Sequence, residues 1–251
     1  MPLWTQALFW GTLAGAALVL GAAISWKWTI PPKIVSSIMA FGAGVLISAL
    51  AFDLVDEARE GGGLWPTVGG FLAGAVVYVS ANALLARRGA KHRKRSGGMQ
   101  STEADTPGSG SAIALGALLD GIPESVVLGL GLLSGGAVSP TVLAAVFISN
   151  VPEGLSSAAG MKKSGRSAGY VFGVWVGIAL MSGMAALLGY LTMENAPGEL
   201  VAFITAIAAG AILAMLADTM IPEAFEEHHF LTGLIAALGF LAAFIISSYG
   251  G

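Results

Sequence analysis

The chain has 251 residues, of which 55% are hydrophobic and 11% charged, with 36 glycines and a mean hydropathy of +0.80. That much apolar surface cannot be hidden in one soluble core and needs lipid to cover it. The net charge of -3 is small, and the lack of cysteine excludes disulfides, thiolate metal sites and thiol redox chemistry, so any metal must be held by oxygen or histidine nitrogen.

A membrane helix needs about 20 mostly apolar residues. Gly, Pro and charge clusters divide the chain into eight such segments, near residues 5–25, 34–55, 64–86, 111–133, 138–160, 167–191, 199–222 and 230–249. The first has no basic leader and reads as a retained helix although Gly21-Ala22-Ala23 faintly resembles a cleavage site. Lys27, Lys33, Arg87, Arg88, Lys91, Arg93, Lys94, Arg95, Lys162, Lys163 and Arg166 fall in alternate connections and Arg59 alone in the others. The biased side is therefore expected to be cytoplasmic, with both termini outside, in a plasma (inner) membrane. Residues 87–110, a basic run followed by Gly, Ser, Thr and acids, read as a flexible cytoplasmic loop within a single transmembrane domain covering 1–251. Beside a helix end the basic run fits topology and anionic lipid, not nucleic acid.

Residues 41–58 align without gaps to 207–224, sharing Ala43/Ala209, Gly44/Gly210, Leu50/Leu216, Ala51/Ala217, Glu57/Glu223 and Ala58/Ala224. Under the expected topology these helices run in opposite directions, the mark of an inverted repeat. The fold class that follows is all-α and polytopic: helices 1-3 and 6-8 repeated around a central pair, helices 4 and 5.

That central pair carries the chemistry. Asp120-Gly-Ile-Pro-Glu124-Ser125 and Ser149-Asn-Val-Pro-Glu153-Gly154 are variants of one motif, one span apart. Desolvating a carboxylate at membrane depth costs at least ~2.5 kcal/mol, so such groups mark a cation or proton pathway by default. At helical spacing Asp120 and Glu124 share a face, as do Ser149 and Glu153, while Asn150 and Glu153 are three apart. Two antiparallel helices would gather Asp120, Glu124, Asn150 and Glu153 about one oxygen-rich cavity. Pro123 and Pro152 remove backbone bonds to the carbonyls of Leu119 and Ile148, which are then free to ligate a cation or be met by water. Oxygen ligation without sulfur suits Mg, Mn or Fe and can also hold Zn. The same carboxylates could carry protons alone, or serve as protonated groups bonding neighbouring helices.

The Pro-Glu pair, the eight segments, the basic loop after the third and the Ala-Gly and Glu-Ala features of the second and seventh resemble the ZIP (Zrt/Irt-like) divalent metal transporters over almost the whole chain. In that family the fourth helix typically carries His-Asn-x-Pro-Glu-Gly and the fifth a His-Glu-x-Pro-type motif. Carried over, the first histidine is Asp120, the asparagine Gly121 and the acid Glu124; on the fifth helix the positions are Ser149, Asn150 and Glu153. The sixth-helix stretch Ser182–Gly189 lacks the extra acid of binuclear relatives, which favours one metal site, and loss of both histidines weakens the case for zinc preference. The likeness implies that helices two and seven line the ion path, with Asp53 an entrance ligand and Asp218 an exit ligand. It implies an ATP-independent carrier moving a divalent cation, Zn2+ first and Mn2+ or Fe2+ as alternatives, into the cytoplasm, with no enzyme activity and no cofactor beyond the transported ion.

Other features carry less. Glu223, Glu226, Glu227, His228 and His229 cluster at the cytoplasmic end of helix seven and read as a solvated turn more readily than as a metal acceptor. Asn82 reads as packing, and Gly-x-x-x-Gly spacings leave a homodimer open. An intramembrane aspartyl protease would need two aspartates sharing a proton, and a structural scaffold would gain stability, with no loss of function, when Glu124 and Glu153 are neutralised.

Overall fold

The computed structural model describes residues 1–96, 99–226 and 230–250, and among them every regular element is a helix. In chain order these are α1 (Leu3–Lys27), α2 (Pro32–Gly62), α3 (Leu64–Ala90), α4 (Ser109–Gly135), α5 (Pro140–Lys163), α6 (Ala168–Met193), α7 (Gly198–Ala224) and α8 (Thr232–Gly250). The first seven are long and apolar enough to cross a membrane, and the apolar part of α8, Thr232–Ser248, is shorter. The chain is built as a polytopic integral membrane protein.

The helix boundaries have local causes. Ser139 and Ser167 cap α5 and α6, their hydroxyls accepting from the backbone N–H groups of Val142 and Tyr170. Pro32 and Pro140 occupy the first turns of α2 and α5, where no N–H is needed. Gly136, at φ 70°, ends α4 in the left-handed conformation. Both α4 and α5 continue through their internal prolines, Pro123 and Pro152.

Packing is organised by pairs: α1 lies along α5 and α6, α2 along α8 and α5, α3 along α7, and α4 along α6. Close approach depends on glycine. A methyl group at Gly44 would overlap the carbonyl of Ala236 in α8, and one at Gly210 would overlap that of Phe71 in α3. Single π-helical turns interrupt α2 at Leu50–Leu54 and α7 at Leu216–Met220, at matching places in the aligned segments 41–58 and 207–224.

The α3–α4 connection departs from the flexible loop expected over 87–110. Arg93, Lys94, Ser96 and Gln100 are buried among the helices, while Arg87, Arg88 and Lys91 stay exposed. The physical reason is charge: the segment brings cations to carboxylates that the membrane helices could not otherwise neutralise.

Candidate cation site between the central helices

Asp120 and Glu124 on α4 and Glu153 on α5 are all buried. Their charged neighbours come from the connection. The Arg93 guanidinium grips Asp120 with two bonds, Nε to Oδ2 at 2.9 Å and Nη2 to Oδ1 at 2.7 Å. Its remaining donors reach the Tyr78 hydroxyl at 2.9 Å, Asn82 Oδ1 at 2.7 Å and the Ala90 carbonyl at 3.4 Å. Tyr78, itself buried in α3, donates to Asp120 Oδ1 at 2.5 Å. Lys94 Nζ lies 2.7 Å from Glu153 Oε2, 3.4 Å from Asp120 Oδ2 and 3.3 Å from the sulfur of Met215.

Glu124 stands apart. Its Oε1 is buried without a hydrogen-bond partner, and its charged neighbours are Glu153, Lys94 and Asp120. Three carboxylates thus face two tethered cations, leaving one formal negative charge on the side of Glu124. Among the described residues no three carboxylate or imidazole side chains converge closely enough to hold a metal as they stand. The oxygens expected to do so are bonded to the chain's own nitrogen cations.

The other expected ligands are placed as follows. Asn150 is buried but donates its amide to the Ala14 carbonyl of α1 at 2.9 Å, so its side chain is engaged in joining α5 to α1. Ser149 returns its hydroxyl to Val146 O at 2.9 Å on its own helix, the ordinary behaviour of serine inside a helix. Asp53, in the π-turn of α2, accepts from Ser247 of α8 at 3.3 Å, and its Oδ2 is buried without a partner. Asp218, in the π-turn of α7, is exposed and accepts from Asn82 of α3 at 3.0 Å. Glu227, His228 and His229 lie outside the described residues.

Tyr78, Arg93 and Lys94 were not among the sequence candidates, and Asn82 was read as packing. A signal for them existed: buried acids need counter-charge, and the nearest basic residues are those following α3.

Two openings flank the site. At the end of the bundle where α2 and α4 finish, a cavity of about 310 Å³ is lined by Glu57, Ser134, Glu194 and Thr205 among others, and the Ser134 hydroxyl donates to Glu57. Ser134 lies ten residues along α4 from Glu124, roughly 15 Å at helical rise. At the opposite end, beside the basic connection, a cavity of about 140 Å³ is walled by Arg93, Lys94, Arg95, Asp218 and Thr219.

No protein-family model matches the chain. Over 228 residues it is 28% identical to a protein of Arabidopsis thaliana named as a putative zinc transporter. The match takes in 89% of this chain and 35% of that protein, so the chain spans about a third of that relative's length.

Proposed function

We propose that this chain is a secondary, ATP-independent carrier that moves a divalent transition-metal cation into the cytoplasm through the acidic site of α4 and α5. The observation that carries the reading is Glu124, buried at membrane depth with an unpartnered oxygen beside two further carboxylates. A group so costly to desolvate implies a positive charge that visits it. The distant relative's name adds metal transport, and zinc as the first ion to test.

An inverted repeat supports a carrier. Exchanging helices 1 with 6, 2 with 7, 3 with 8 and 4 with 5 maps the main packing pairs onto one another: α2·α8 becomes α7·α3, α1·α5 becomes α6·α4, and α1·α6 maps onto itself. Gly44 and Gly210 occupy matching positions and each admits the partner helix; Asp53 reaches α8 where Asp218 reaches α3. The proposed route runs from the cavity at Glu57, past Asp53, through Glu124, Glu153 and Asp120, to Asp218. An inside-negative potential of 100 mV favours entry of a 2+ ion by ~4.6 kcal/mol, enough for uptake without ATP. The membrane would be the plasma (inner) membrane, with both termini outside. An aspartyl protease is disfavoured, since Asp120 is committed to Arg93, Lys94 and Tyr78, while Asp53 and Asp218 pair with Ser247 and Asn82.

Purified protein in liposomes tests the proposal. Wild type should take up Zn2+ or Mn2+, and Glu124→Gln and Glu153→Gln should each lower the rate at least tenfold while remaining folded. Normal uptake by both variants would remove the central site from the route.

A further inference from the structure

The basic segment that fills the site is seated in a groove shaped for it. Gly116 of α4 leaves the space through which Arg93 passes: a methyl there would lie 2.6 Å from Arg93 Cδ. At Gly160 of α5 a methyl would overlap the carbonyl of Arg95 and the amide of Gln100. Between them, Ser156 donates to the Lys94 carbonyl, and Gln100 donates to Arg93 O at 2.8 Å and Ser157 O at 3.0 Å. Ser96 N–H donates to Glu223 Oε1 at 3.0 Å, and Lys163 donates to the Ser96 carbonyl at 2.7 Å. Backbone and side chains of the segment are held on both central helices and on α7.

Resting on the metal-carrier reading, we infer that Arg93 and Lys94 are tethered counter-cations which the transported ion must displace, and that they set the site's selectivity for charge. A metal cannot take the Glu153 and Asp120 oxygens while Lys94 and Arg93 hold them at 2.7–2.9 Å. Nor can it sit beside them, because like charges at such distances repel strongly in a buried setting. Withdrawal of both nitrogen cations as one divalent ion enters leaves the formal charge of the site unchanged. A monovalent ion making the same exchange leaves it one unit more negative. The site therefore rejects K+ and Na+ through its own tethered charges, without any ligand specific for the metal.

The test uses the cysteine-free chain with Ser96→Cys, a buried reporter within the segment. Its labelling by a maleimide is followed with Mn2+, which avoids the thiolate affinity of Zn2+. Mn2+ should speed labelling at least tenfold, and a large excess of K+ should not. In parallel, equilibrium dialysis measures Mn2+ binding to wild type, Lys94→Met and Gly160→Val; the last expels the segment while keeping every charge. Both variants should bind Mn2+ at least tenfold more tightly, and K+ should compete in Lys94→Met, where one tethered charge is gone. Equal Mn2+ affinity in all three proteins with Ser96→Cys still protected would overturn the tethered-cation inference and leave the metal site standing. Absence of binding in all three, or binding undiminished by Glu124→Gln with Glu153→Gln, would remove the metal site itself and this inference with it.

Discussion

Asp120 and Glu124 lie four residues apart on one helix, yet their surroundings give them different roles. Asp120 accepts from Arg93 and Tyr78 and lies near Lys94, whereas no donor reaches Glu124 Oε1. Neutralising them should separate stability from function. Asp120→Asn leaves two buried cations short of a counter-charge, and breaking a buried ion pair from one side costs about 3–5 kcal/mol. Glu124→Gln removes an acid that no donor satisfies at Oε1, so its effect on stability should stay within about 1 kcal/mol of wild type. Thermal unfolding in detergent alongside liposome uptake checks this: Glu124→Gln should melt like wild type and fail to transport, and Asp120→Asn should lose both. Equal melting of the two variants would show that Arg93 does not depend on Asp120. The carboxylates themselves were legible in the sequence because ionisable groups stand out against apolar helices. Their partners were not, because Arg93 and Lys94 sit in a run of basic residues whose members look alike until the fold buries some and leaves Arg87, Arg88 and Lys91 in water.

At the scale of elements, the helix positions follow from hydropathy and breakers, so the expected segments match the observed helices closely; what pattern alone misses is the order imposed on a polar connection by tertiary contacts. Glu103 shows how this occurs. Its carboxylate accepts from Arg166 at 2.9 Å and from the N–H groups of Gly108 and Gly110 at 2.7 and 3.0 Å, where α4 begins. The Arg166 bond, followed by those two backbone donors, lowers its pKa from an ordinary 4.5 to about 2. A depressed carboxylate contributes stability that is fully present above its unfolded value and is lost as pH falls through the folded one. The tie between this connection and Arg166, in the turn that joins α5 to α6, should therefore hold above about pH 4.5 and loosen between that value and about 2. Hydrogen exchange at the amides of Gly108 and Gly110 measures it: loss of protection relative to the intrinsic rate at each pH over that acid range, reproduced at neutral pH by Glu103→Gln, is expected. Exchange that is insensitive to both changes would show that Glu103 does not hold the start of α4.

For the whole molecule, the number of crossings turns on α8, the helix whose apolar part is the shortest. Its 19 residues rise roughly 28 Å, just short of a typical hydrocarbon core of about 30 Å. Local thinning of the bilayer accommodates a deficit of that size at small cost. Packing favours a full crossing, since α8 lies along α2, a helix of 31 residues, through the close approach at Gly44. The helix exchange that relates α2·α8 to α7·α3 also requires α8 to be a spanning helix like α3. Sided labelling of single cysteines makes the test, with reporters chosen from exposed positions: Lys91, Glu60 and Phe230. Gly62 is a poor reporter because a side chain there would meet Ala202, and Ser96 reports the buried segment instead of sidedness. Cysteines at Lys91 and Phe230 should react from the cytoplasm, and cysteines at Glu60 and at Gly251 from outside. Reaction of Phe230→Cys and Gly251→Cys from the same face would make α8 a non-crossing helix. It would leave seven spans, an odd number that no pairwise exchange of helices can match, and the inverted repeat would fall with it.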